Sequence, residues 1–115
     1  MIKIYGMPTC PYCDFVHEQI KGREDEFEYI NIGENIRNMS EFTRMRDTSP
    51  VFDHCKKIGD VGIPAFVFED GKILVYQNKK ILTEYAIRDF SRSPNAVFRN
   101  IYKSILRVCE EISVN

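Results

Sequence analysis

Apolar and polar positions alternate at the very start of the chain: Ile2, Lys3, Ile4 and Tyr5 read as a short strand that Gly6 and Pro8 stop. From Pro11 to Lys21 the period changes, and Tyr12, Val16 and Ile20 recur at the spacing of one helical face. Phe27 to Ile32 is rich in aromatic and β-branched residues and predicts a second strand. Strand, helix and strand in so short a span form a right-handed crossover, which makes the two strands parallel.

A second helical period runs from Ile36 to Asp47 and breaks near Ser49-Pro50. Ser49 suits a helix cap there, and Pro50 suits the first position of a further helix ending at Gly59. Ala65-Phe66-Val67-Phe68 is apolar throughout, the mark of a strand covered on both faces. Asp70-Gly71 then predicts a two-residue turn and a hairpin with a strand over Lys72 to Tyr76. Ile81 to Ser91 follows as a helix. The order βαβ, helix, ββα describes an α/β domain: a four-stranded mixed sheet flanked by helices. Beyond Pro94-Asn95, the residues Phe98, Ile101, Tyr102, Ile105, Cys109 and Ile112 repeat at threes and fours. They predict an extra amphipathic C-terminal helix over about residues 95–113. It either packs on its own domain or forms the surface of a homodimer or partner complex.

At 115 residues the chain makes a single domain over 1–115, with a core over about residues 1–92. Hydrophobic residues make up 43% and charged residues 29%, as in an ordinary globular protein. A net charge of −1 offers no basic footprint for nucleic acid and no pull towards an anionic membrane. The first residues lack the pattern of a signal peptide, and no apolar run approaches the roughly 18 residues of a membrane span. The expected location is the cytoplasm. In that reducing setting a close cysteine pair is catalytic or metal-binding more often than a structural disulfide, so the four cysteines change the picture.

Cys10-Pro11-Tyr12-Cys13 falls where the first strand gives way to the first helix. Pro11 at the first helical position makes Cys10 the N-cap, whose side chain accepts hydrogen bonds from the amides of Tyr12 and Cys13. A thiolate accepts such bonds better than a thiol. The helix dipole adds about 0.3–1 kcal/mol at an exposed site. The thiol of Cys10 should therefore fall to about 3.5–7.5. Cys13 lies one turn deeper, on the face of Val16 and Ile20, where burial raises its pKa. The asymmetry assigns roles: Cys10 attacks a disulfide, and Cys13 resolves the mixed disulfide that forms.

Thr9-Cys10-Pro11-Tyr12-Cys13 resembles the active site of dithiol glutaredoxins, and the likeness spans about residues 1 to 90. It implies a thioredoxin fold and a thiol–disulfide oxidoreductase acting on protein disulfides or glutathione mixed disulfides. No tightly bound cofactor is implied; glutathione or another small thiol would be the cosubstrate. Gly62-Ile63-Pro64 matches the family's cis-proline segment. The resemblance thus implies a cis Pro64 against the cysteines and an Ile63 backbone offered to substrate, with Tyr12 as a further substrate contact. Departures concern glutathione. Met7 stands where the family carries a lysine, Ile73-Leu74-Val75-Tyr76 replaces its Gly-Gly step, and Asp60 replaces a polar residue. Lys56 and Lys57 are candidate replacements.

Other readings compete. The same fold could use a different low-molecular-weight thiol. Cys10 and Cys13 could hold zinc with His54 and Cys55, or share an iron–sulfur cluster between chains. The pair could also switch partner binding through the tail helix. Cys55 and Cys109 read as buried or half-buried free thiols, and His17 as a partly exposed helix residue with a minor candidacy as ligand or proton shuttle. The acidic residues Glu24, Asp25, Glu26 and Glu28 read as a solvated face.

Overall fold

A computed structural model describes residues 1–77, 80–83 and 103. Within them the chain runs β1 (Ile2–Gly6), α1 (Pro11–Gln19), β2 (Phe27–Asn31), α2 (Ile36–Thr48), a 3-10 turn (Pro50–Phe52), α3 (Asp53–Ile58), β3 (Ala65–Val67), β4 (Ile73–Gln77) and β5 (Lys80–Thr83). The strands form one mixed sheet in the order β2-β1-β3-β4-β5. β1 runs parallel to β2, with Ile2 opposite Phe27, and antiparallel to β3, with Tyr5 opposite Ala65. This mixed α/β arrangement is compatible with a thioredoxin-like fold.

Alternation along the strands sorts side chains into two cores, one on each face. Ile2, Ile4, Phe27, Phe66, Phe68, Leu74 and Tyr76 meet Val16 and Ile20 of α1. Tyr5, Ala65, Ile73 and Val75 point the other way and meet Phe42 of α2, Phe52 and Cys55. Burying a side chain such as Leu74 or Val16 fully contributes about 1.5–3 kcal/mol, so each helix is held mainly by its apolar face. Gly59 takes a left-handed conformation (φ 78°) that ends α3, and the amide of Asp60 returns to the carbonyl of Cys55.

Two expectations are corrected. Among the described residues the sheet has five strands, not four: Lys80–Thr83 pairs with β4, where a helix from Ile81 was expected. Without β5, the apolar strand Leu74-Val75-Tyr76 would present an unpaired edge, and satisfying that backbone outweighs the helical spacing. The hairpin turn holds three residues instead of two. Val67 faces Ile73, the amide of Gly71 bonds to the carbonyl of Phe68, and Gly71 is left-handed (φ 86°), a type I turn closed by a glycine bulge. The rest of the helix expected to Ser91, and the whole expected helix at 95–113 with Cys109 and its dimer surface, lie outside the described residues. Among those described, no helix is long and apolar enough to cross a membrane.

Candidate active site

β1 delivers the chain to the start of α1 through a tight passage. A Cβ on Gly6 would lie 2.6 Å from the Tyr29 hydroxyl oxygen and 3.2 Å from Cys13 Sγ, so only a glycine lets the helix begin so close to the strand. Thr9, just before the cysteines, is left-handed (φ 75°), an uncommon state for a β-branched residue. It turns the backbone so that Cys10 becomes the N-cap of α1, with Pro11 at the first helical position. Cys10 Sγ accepts the amide of Cys13 at 3.3 Å, which gives one otherwise unpaired helix-end donor a sulfur partner.

The two sulfurs sit in opposite electrostatic settings. A hydrogen bond from the Cys13 thiol is the largest influence lowering Cys10, and the amides of Cys13 and Tyr12 add to it. Partial burial and the Asp14 carboxylate oppose them, and the balance leaves the Cys10 thiol at about 6. The Cys13 thiol donates a hydrogen bond to Cys10 Sγ and is fully buried, and both push its pKa far above the ordinary range. Cys10 is half-buried and reachable. Cys13 packs with the core on the α2 side, whereas its helix neighbours Val16 and Ile20 pack on the other; it sits at the seam between the two.

The loop before β3 completes the site. The Ile63–Pro64 peptide bond is cis, as the resemblance implied. Pro64 is fully buried, and Ile63 belongs to the same packed cluster as Cys13, with Cys10 and Met7 against it. Pairing of β1 with β3 stops at Ala65, one residue past the cis bond. Sequence reasoning missed what holds this loop. Arg46 of α2 donates from Nη2 to the carbonyl of Asp60 at 2.7 Å and from Nε to that of Val61 at 2.8 Å. An arginine in a helix otherwise reads as a solvated charge, and no spacing rule links it to carbonyls fourteen and fifteen residues on. Arg46→Ala is expected to lower stability by about 1–3 kcal/mol, the range for charge-assisted bonds. Arg46→Lys should recover only part, since an ammonium lacks the planar fork; chemical denaturation of the three proteins measures the difference.

The remaining candidates fall into place around this pair. Tyr12 is half-buried with its ring edge-on to Tyr76 of β4, centroids 5.4 Å apart, so it packs partly against the sheet. His17 is exposed and stacks on Tyr29 at 4.1 Å. Cys55 is a fully buried free thiol, raised by desolvation. Lys56 and Lys57 are exposed, and Lys56 pairs with Asp53 at 3.4 Å. Among the described residues, no group of three or more His, Cys, Asp or Glu side chains is placed to hold a metal, so His54 and Cys55 do not join Cys10 and Cys13.

Comparison with known proteins gives two relatives of similar extent. A protein of Clostridium pasteurianum described as an uncharacterized glutaredoxin-like 8.6 kDa protein in the rubredoxin operon is 30% identical over 79 residues, covering 69% of this chain and 88% of its own. An uncharacterized protein of Haemophilus influenzae is 33% identical over 77 residues, covering 66% of this chain and 88% of its own. No family model matches. No solved structure matches significantly.

Proposed function

Because this chain belongs to the glutaredoxin-like proteins, we propose that it is a thiol–disulfide oxidoreductase with Cys10 as nucleophile and Cys13 as resolving thiol. One observation carries the reading: an accessible N-cap sulfur held as an anion stands next to a buried sulfur held as a thiol. With a pKa of about 6, roughly nine tenths of Cys10 is thiolate at neutral pH, against a few per cent of an ordinary cysteine.

Cys10 attacks one sulfur of a substrate disulfide, forms a mixed disulfide and releases the other half as a thiol. Cys13 then attacks Cys10 Sγ, closes an intramolecular disulfide and frees the second half. Substrates are protein disulfides or small-molecule mixed disulfides. Pro64 shapes the wall beside the cysteines, Ile63 offers backbone groups for an extended substrate to pair with, and the partly exposed Tyr12 flanks the path in. Glutathione or another small thiol returns the enzyme to its reduced state, in a reducing compartment such as the cytoplasm. Met7, half-buried against the cluster, gives a glutathione carboxylate no charge to bind, which favours a thiol other than glutathione as reductant.

The test is the pH dependence of Cys10 alkylation. Since the thiolate reacts, the rate should be near its plateau at pH 7 and should fall about tenfold per unit below the midpoint. A midpoint near 6 is expected. A midpoint near the ordinary value of about 8.5 would end the proposal.

A further inference from the structure

Resting on that redox reading, we propose that the Tyr29 hydroxyl is the hydrogen-bond donor that stabilises the Cys13 thiolate while Cys13 resolves the mixed disulfide. The need comes from the burial of Cys13. Its sulfur is fully shielded from water, and the described core contains no buried charged side chain to assist its ionisation. In the resting site the Cys13 proton is held by the negative sulfur of Cys10. Once Cys10 is tied up in a mixed disulfide that charge is gone, and Cys13 must ionise where it stands. The amide of Met7 already points at its sulfur.

Tyr29 supplies a second donor. Its hydroxyl oxygen and Cys13 Sγ converge on the space in front of Gly6, 2.6 Å and 3.2 Å from the point a Cβ would occupy there. In the resting site no hydrogen bond joins the two atoms, since the Cys13 thiol is turned to Cys10; the phenol bonds the sulfur only once that proton has left. The ring is held from both sides: it packs against the α1-side core, and the His17 imidazole lies parallel to it, 7° from coplanar. Burial, then the charges of Cys13, Asp14 and Cys10, keep the phenol protonated well above its usual range. It is therefore a donor at every working pH and not a base. The titratable groups facing the pair are Cys10, Asp14 and His17, all from α1 and its cap; β1 contributes Gly6, which carries no charge.

The step balances without a further reagent. Cys13 loses its proton, its sulfur attacks Cys10 Sγ, and the Cys10–Cys13 bond forms as the bond from Cys10 to the substrate sulfur breaks. The substrate sulfur leaves as a thiolate with the pair of the broken bond, and the Cys13 proton goes to it or to solvent. Tyr29 keeps its own proton throughout.

The experiment loads Cys10 with a chromophoric aromatic thiol as a mixed disulfide and follows its release by Cys13 across pH. Tyr29→Phe keeps the ring and its stacking and removes only the hydroxyl. Release should slow about tenfold, the effect of one hydrogen bond to a charged group. Its pH midpoint should rise by about one unit, while alkylation of Cys10 and formation of the mixed disulfide stay unchanged. Unchanged release, or slower release without the midpoint shift, overturns the proposal. So does a matching loss in the first step, which would mean that ring packing carries the effect. If the unaltered protein never forms the mixed disulfide, the redox reading fails instead, and the two failures are separated by the loading step.

Discussion

Cys10→Ser is expected to reduce disulfide turnover by about a thousandfold or more, because a serine hydroxyl stays protonated at neutral pH where the thiolate is the reacting species. Cys13→Ser should behave differently. A small thiol can still attack the mixed disulfide on Cys10 from outside, so turnover that needs only one cysteine survives, while release of protein disulfides by internal resolution is lost. The informative variant is Cys13→Ala. The Cys13 thiol is the largest influence lowering Cys10, ahead of the amides of Cys13 and Tyr12. Removing it should raise the Cys10 midpoint from about 6 by about one unit or more, leaving the amides and the helix dipole to hold the remainder below an ordinary cysteine. Alkylation rates against pH for the native protein and Cys13→Ala, with mixed-disulfide turnover for both serine variants, measure all of this. A Cys13→Ala midpoint equal to the native one would show that the backbone alone holds the charge and that the two sulfurs are not coupled.

The local geometry around the cysteine pair could be read from the sequence further than the fold that carries it. Cys10, Pro11 and Cys13 act through local geometry: a cap, a proline that starts a helix and a residue one turn on are separated by fixed distances whatever the rest of the chain does. The parallel crossover was legible for a similar reason, since Ile2 to Ile32 holds strand, helix and strand with strong turn residues between them. What the sequence hid depends on partners distant along the chain. Ile81, Leu82 and Thr83 suit either a helix or a strand, and only the open edge of β4 decides for the strand. Arg46 looks like any solvated helix residue until the loop at Asp60 and Val61 folds under it. Tyr29 follows the strand alternation perfectly well as a core residue; that its hydroxyl ends beside Cys13 follows from Gly6 lacking a side chain on the neighbouring strand.

Gly62→Ala is expected to be strongly destabilising for so small a change. Gly62 has φ 96°, a backbone state that costs an L-residue about 1–2 kcal/mol. The added Cβ would also lie 2.8 Å from Phe52 Cδ1 and 3.0 Å from Cε1. That ring is fully buried and sits edge-on to Phe42, so it cannot swing into solvent to make room. Overpacking of this kind adds about 1–3 kcal/mol, for a combined loss of about 2–5 kcal/mol out of the 5–15 typical of a domain. Gly59 provides the control. It too has positive φ, 78°, but nothing lies within 4 Å of its would-be Cβ, so Gly59→Ala should lose only the backbone share. The difference between the two variants in chemical denaturation therefore isolates the collision with Phe52. Function should divide the same way. A ring pushed back at Phe52 moves the loop that presents Ile63 in the same cluster as Cys13, so Gly62→Ala should slow mixed-disulfide formation even where the protein remains folded. Gly59→Ala, at the far end of α3, should leave that step at the native rate. Equal losses from the two substitutions would mean that the loop absorbs the methyl group, and that Phe52 does not set the wall of the site.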